Sequence, residues 1–394
     1  MMKVLYIHHA AGIGGAPISL IKLIENLDRN KYEVIVLLIK ESDVVELLNA
    51  KNIKYTVVSG RFYKYYYRCI VHSEAGYLRW YNIYRIFKGF IYWFLSKYYF
   101  AERQLKHIDF NIVHLNSSVL TDWLYASHKL GKTVIHIREP FACGYTGLRK
   151  KYLINQMKKY ADHIIAISKD NANRIGLPEK TTVIYNFNNT GNGSYNAEFS
   201  FDKSKKVLYL GGASKIKGFY TLIKALDYID DDVLIYFGGY YPVSKKRGIK
   251  KYLPKNKRLA ESLNILRNHP QAVEIGLISN VYDFMNKINV LVSPHSVEHF
   301  SRPIIEAFWC GKPAIGTNVT GMEEIIDHEV NGLIVEKDNP VKLANAINFL
   351  CSNPKTAKRM GEEGYKKARA LYSENNVKKI EAVYEKITES KNGK

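Results

Sequence analysis

Acid is in short supply in this chain: 37 aspartates and glutamates stand against 58 lysines and arginines, a formal charge of +21 over 394 residues. An imbalance of that size asks for an anionic partner. The sequence contains no zinc finger, RRM signature or heptad-linked basic region, so nucleic acid is not the expected one. Cysteine is rarer still. Cys69, Cys143, Cys310 and Cys351 are widely spaced, with no CxxC and no Cys/His cluster at metal-ligand spacing, which fits a reduced, cytosolic protein with inert thiols. Long apolar runs are missing as well: Gly89–Leu95 is closed off by Lys88 and Lys97, far short of the ~20 residues that a bilayer span needs. The opening Met1–Ile7 meets His8 and His9 too soon for a signal peptide and reads as a first strand.

What the chain does have is apolar and aromatic side chain, 46% and 13% of its residues, which argues against wholesale disorder. Its length suits two domains, each able to bury a core. Aromatics crowd the segment 61–100, among them Phe62, Tyr63, Tyr66, Trp80, Phe87, Phe90, Trp93 and Phe94. There Arg61, Lys64, Arg68, Arg79, Arg85, Lys88 and Lys97 oppose one acid, Glu74. Tyrosine, tryptophan and cations together suit the headgroup region of an anionic membrane, each cation contributing on the order of 1 kcal/mol. The competing reading is an aromatic helical insertion packed on the first domain, with its basic face in solvent.

Buried-strand runs recur along the chain at residues 3–8, 33–39, 111–115, 133–137 and 163–168, then at 206–210, 233–237, 289–294 and 314–317. Segments between them, such as Ile18–Ile24, carry helical periodicity. This alternation predicts an α/β protein of two Rossmann-like, doubly wound domains facing a cleft, with ligands at the C-terminal ends of the strands. The expected division is a first domain at 1–190 with the aromatic-basic insertion at about 61–107, a polar Gly/Asn-rich linker at 191–204, a second domain at 205–372, and an amphipathic terminal helix within 373–394.

The segment Glu298-His299-Phe300-Ser301-Arg302-Pro303-Ile304-Ile305-Glu306 joins a helix start to two carboxylates. Ser301 stands where a helix cap belongs, Pro303 is tolerated in the first turn, and Gly311 followed by Pro313 ends the helix. Backbone N–H groups near Phe300 and Ser301 suit a phosphate, and both glutamates can accept hydrogen bonds from sugar hydroxyls. Asn289–Pro294 reads as a strand before this motif. Ala314–Thr317, Gly321–Ile326 and Asn331–Val335 follow it. Earlier, Gly211-Gly212-Ala213-Ser214-Lys215-Ile216-Lys217-Gly218 forms a glycine-rich turn after a strand, where backbone N–H groups and Lys217 can meet a diphosphate. In spacing, glycines and strand order, this stretch closely resembles the donor-binding core of the retaining glycosyltransferases of family 4 (group 1), whose hallmark is a Glu-x7-Glu motif in a GT-B fold.

The resemblance implies a GT-B protein whose terminal helix crosses back to the first domain. It implies a retaining, metal-independent hexosyltransferase that moves a sugar from a nucleotide-sugar to a glycan or lipid-linked acceptor. The expected setting is bacterial polysaccharide or lipopolysaccharide synthesis, with the protein peripheral on the cytoplasmic face of the inner membrane. It assigns Glu306 to the ribose hydroxyls, Glu298 to the transferred sugar and Lys217 to the donor phosphates, with Gly211, Gly212, Ile278, Phe300 and Ser301 around them. Many relatives carry arginine at the position of Gly212. Arg302 or Lys215 is the candidate replacement, although i,i+4 spacing also lets Arg302 pair with Glu306. Glu298, Lys217 and Arg302 are thus the catalytic candidates. In the first domain, Gly14 and Gly15 are expected to let backbone approach the ligands. His136, Arg138 and Glu139 are acceptor-side candidates, against a core histidine and an Arg–Glu pair. Asp230-Asp231-Asp232 spells the DxD of metal-dependent enzymes of a different fold but lies in an Asp-rich turn, so neither metal nor another cofactor is expected. A noncatalytic nucleotide-sugar sensor and a basic nucleic-acid-binding protein are the alternatives. Sugar, base, acceptor and oligomeric state are not legible.

Overall fold

Strands made of Val, Ile and Leu at successive positions need cover on both faces, and parallel sheets flanked by helices provide it. The computed structural model describes residues 1–9, 12, 15–66, 83–139, 147–187, 205–242, 254–278 and 280–389. The expected linker at 191–204, Gly14, Cys69, Cys143 and the middle of the aromatic insertion lie outside these residues. The chain divides into two compact units, one of Met1–Phe187 with Glu374–Lys394, the other of Asn188–Ser373.

The first unit is built on seven parallel strands: β1 (Met2–His8), β2 (Tyr32–Leu38), β3 (Tyr55–Val57), β4 (Ile112–Leu115), β5 (Lys132–Ile137), β6 (His163–Ala166) and β7 (Thr181–Val183). Their order is β3-β2-β1-β4-β5-β6-β7, so the winding reverses between β1 and β4. Alternate residues of β1 serve opposite layers, as strand geometry demands. Val4 and Tyr6 enter a core with Leu20 and Ile24 of the first helix and Val377, Ile380 and Tyr384 of the terminal helix, Asn375–Glu389. Leu5 and Ile7 enter the other, with Tyr63, Tyr66 and Trp123.

The second unit has six parallel strands: β8 (Lys205–Tyr209), β9 (Val233–Gly238), β10 (Ala272–Gly276), β11 (Val290–Ser293), β12 (Ala314–Thr317) and β13 (Gly332–Val335). Their order is β10-β9-β8-β11-β12-β13, and the reversal falls between β8 and β11. Ligands of such sheets bind at the C-terminal ends of the two strands that flank this point.

The aromatic segment is helical where described, over Phe62–Tyr66, Ile83–Leu95 and Ala101–Leu105. Its inner residues Tyr63 and Tyr66 are buried beside Trp123. Arg61 and Lys64 are exposed, as the packed-insertion reading expects, but the described side chains further along also turn apolar groups outward. Phe87 (66% exposed), Phe90 (57%), Ile91, Leu95, Tyr98 and Tyr99 form an outward stripe at helical spacing. Lys97, expected among the surface cations, is instead buried. Its Nζ donates to Gln156 Oε1 at 2.7 Å and lies over the rings of Tyr98 and Tyr160. Among the described residues no helix is long and apolar enough to cross a membrane.

Candidate active site

The reversal between β8 and β11 is where the motif residues gather. After β8 the chain turns through Gly211 and Gly212, and Gly212 holds a φ of +59° with its N–H donating to the Gly238 carbonyl at 3.1 Å. A Cβ at 212 would lie 3.0 Å from the backbone N and O of Tyr240. A side chain at 212, arginine included, therefore has no easy place on this backbone. Gly218 is more constrained: its φ is +80°, and a Cβ there would lie 1.8 Å from the Pro294 carbonyl. This close approach, with Ser296 N donating to the Ile216 carbonyl at 3.0 Å, clamps the 211–218 loop onto the loop that leaves β11.

The clamp creates an open pocket lined by Tyr209, Leu210, Gly211, Lys217, Val292, Ser293, His295, His299 and Pro303. The glycine-lysine turn and the glutamate motif, some eighty residues apart in sequence, thus share one cavity. His295 and His299 stack in it with ring centroids 4.0 Å apart and planes 9° from parallel. Burial, then the neighbouring ring and Lys217, holds His295 well below the usual histidine range. Burial and Lys217 hold His299 at about 4. Both rings are neutral at physiological pH.

The motif helix runs Arg302–Trp309 with Pro303 in its first turn. Ser301 occupies the cap position but does not cap, contrary to expectation. Its side chain is buried and bonds the Ser293 hydroxyl at 2.9 Å, tying the helix start to the end of β11. Glu306 is 4% exposed, and Arg302 Nε donates to its Oε1 at 3.0 Å. Arg302 is thereby committed to Glu306, which is the pairing its spacing allowed. Its Nη1 is buried without a hydrogen-bond partner. Lys215 is exposed and does not line the pocket. Glu298 and Phe300 are half-buried just before the helix, Phe300 edge-on to Tyr372 at 6.2 Å. Ile278 lies after β10, close to Gly238 at the end of β9. Asp230 and Asp232 of the DxD spelling are engaged by Asn348 and Lys205.

In the first unit the expected residues separate into core and rim. His136 is buried, its Nδ1 3.2 Å from His114 Nε2. His114 Nδ1 reaches the Tyr384 hydroxyl at 2.6 Å, and that hydroxyl meets Tyr6 at 2.7 Å. His136 is thus buried behind His114, which the terminal helix holds, and its own Nε2 has no hydrogen-bond partner among the described residues. Arg138 donates to Asn116 and Asn186, both at 2.6 Å, and burial lowers it to about 10. Glu139 accepts from the Ser117 hydroxyl at 2.7 Å and from the backbone and hydroxyl of Ser118, so it holds the turn after β4 rather than Arg138. Gly15 opens the first helix, and a Cβ there would meet nothing within 4 Å, so packing does not require its glycine.

Two parallel, doubly wound units, with a lysine-bearing pocket at the second switch point, define a GT-B protein. The fold matches Anabaena HepE in complex with UDP-glucose, with a TM-score of 0.72 at 18% identity over 100% of both chains. Residues 13–191 match the family described as Glycosyltransferase Family 4, and residues 195–367 match Glycosyl transferases group 1. The chain belongs to this glycosyltransferase family. An uncharacterized glycosyltransferase of Methanocaldococcus jannaschii is 28% identical over 74% of this chain and 88% of its own length. The capsular polysaccharide biosynthesis glycosyltransferase CapM of Staphylococcus aureus is 26% identical over 62% of this chain and 67% of its own.

Proposed function

We propose that this glycosyltransferase moves a hexose from a nucleoside diphosphate sugar to a hydroxyl of a glycan or lipid-linked acceptor, with retention at the anomeric carbon and without a metal ion. The observation that carries the reading is the pocket between β8 and β11, where Lys217, the glycine turn and the start of the motif helix converge. A diphosphate lodged there meets backbone donors and one cation, which offset the charge that grows on the leaving nucleotide. Glu306, held by Arg302, is oriented to accept from ribose hydroxyls, and Glu298 from the transferred sugar. In the first unit, Arg138 and Glu139 remain the acceptor-side candidates. HepE was crystallised with UDP-glucose, which makes a uridine donor the first to try, and CapM's name supports cell-surface polysaccharide assembly as the setting. The outward stripe Phe87–Tyr99, set in a strongly basic chain, supports docking on the cytoplasmic face of an anionic membrane. The test is donor consumption and product mass over a panel of nucleotide-sugars with hydroxyl acceptors. Binding without turnover across the panel would make the protein a sensor rather than a transferase.

A further inference from the structure

The pocket contains a buried nitrogen that the donor reading leaves without a role. His295 is 4% exposed, and its Nδ1 lies 3.1 Å from the Ser293 hydroxyl and 3.4 Å from the Ser293 carbonyl. A carbonyl oxygen only accepts, so the tautomer with its hydrogen on Nδ1 is the one that satisfies this contact, and it leaves Nε2 as a bare acceptor. That Nε2 is buried and has no hydrogen-bond partner. Lone buried acceptors are costly and point to a missing partner. His299 stacks on the ring, and Lys217 lines the same pocket.

We infer that the stacked pair His295/His299 is an inducible cation: a diphosphate diester entering beside Lys217 binds together with one proton, taken from solvent onto an imidazole nitrogen of the pair. The inference rests on the donor reading of this pocket and adds a proton to it. The charges around the pair agree. Lys217, from the loop after β8, acts on both rings; Tyr209 lines the pocket from β8; Glu298 adjoins His299 in the loop; and the motif helix brings the mutually offset Arg302–Glu306 pair. Neither β11 nor β12 carries a titratable side chain. Before ligand enters, burial and Lys217 keep both rings neutral. A diphosphate neutralises Lys217 and reverses the local field, so protonation becomes favourable and Nε2 turns from orphan acceptor to donor. Only one proton is taken up, because two charges at the 4.0 Å ring separation would repel by about 4 kcal/mol at an effective dielectric of ~20. Loss of the nucleotide returns the proton to solvent.

Titration calorimetry of the full chain with UDP-glucose, GDP-mannose and ADP-glucose tests this in buffers of different ionisation enthalpy between pH 6 and 8. These diesters have no phosphate proton to lose in that range, so any uptake belongs to the protein. Uptake approaching one proton is expected for whichever binds, with affinity weakening by up to about tenfold per pH unit as pH rises. His295→Asn, His299→Asn and the double variant should abolish the uptake and flatten the profile. Binding by wild type with no uptake and a flat profile would overturn the inference while leaving the donor site in place. Uptake that survives in the double variant would overturn it as well. If no nucleotide-sugar binds, both the inference and the donor reading fall.

Discussion

At the scale of single residues, the site depends on how each charge is held. Lys217 owes its position to Gly218, whose left-handed backbone lets the loop touch Pro294. Arg302 and Glu306 neutralise each other at 3.0 Å. Glu306→Ala would therefore strand a guanidinium as well as remove the proposed ribose acceptor, whereas Lys217→Ala removes a cation that lines the pocket. Lys217→Ala should lower kcat/KM for the donor by about ten- to a hundredfold, the worth of one charged hydrogen bond, with folding unchanged. A second buried charge lies outside the site. Asp122 is enclosed with Ser96, Tyr63 and Tyr66, and burial raises it from 3.8 to about 7. The folded state thus binds a proton there that the unfolded state has lost, so this group's contribution to stability falls as pH rises from about 4 to 7. Asp122→Asn should raise the melting temperature at pH 8 and give no gain near pH 4. Comparison with wild type at each pH cancels the buried histidines, and equal melting at pH 8 would show that Asp122 is ionised without cost. Lys217, Glu298 and Glu306 could be named as candidates because local motifs carry them, and the structure brings Lys217 and the start of the glutamate motif to one pocket. The His295/His299 stack was not, because two loop histidines four residues apart meet only once Pro294 and the 211–218 loop fix the turn. Ser301 was misread for a related reason: the side chain of Ser293 competes for it, and sequence gives no sign of that partner.

At the scale of elements, strands with two buried faces announce themselves through runs of Val, Ile and Leu, as over Val34–Leu38 of β2 and Val290–Val292 of β11. The edge strands do not. β3 and β10 each have one neighbour in the sheet, and β10 exposes Glu274, so neither has the two-sided apolar run that marks a strand. The helix pair behind the motif shows what sequence spacing hides. A Cβ at Gly361 of the helix Pro354–Leu371 would lie 1.9 Å from the Gly311 carbonyl at the end of the motif helix. Gly361→Ala should destabilise the fold by about 1–3 kcal/mol in denaturant titration, since backbone rather than a flexible side chain must move. An unchanged midpoint would mean that the two helices separate freely. The aromatic helix makes the opposite demand, because Phe87, Phe90, Ile91 and Leu95 remain exposed on it. Phe87→Ser with Phe90→Ser should leave the fold intact and weaken flotation with anionic vesicles at least about tenfold, since each ring contributes ~1.5–3 kcal/mol when buried. Equal flotation of the double variant would remove the membrane assignment.

At the scale of the whole molecule, both units repeat one plan: a parallel sheet whose winding reverses once, with polar residues gathered at the reversal. In the first unit the terminal helix seals that point through Tyr384, whose hydroxyl bridges Tyr6 and His114. Contacts spanning 270 residues leave no local signature, so the sequence left His136 open between an acceptor-side role and a core histidine. In the second unit the reversal stays open as the Lys217 pocket. The contrast makes donor binding by the second unit the central claim. The most direct measurement is nucleotide-sugar consumption, followed by mass spectrometry over a donor panel, for wild type and Lys217→Ala side by side at subsaturating donor. The account predicts that wild type consumes one donor class and releases its nucleoside diphosphate, and that Lys217→Ala slows this about tenfold or more. Equal consumption by the two proteins would contradict it.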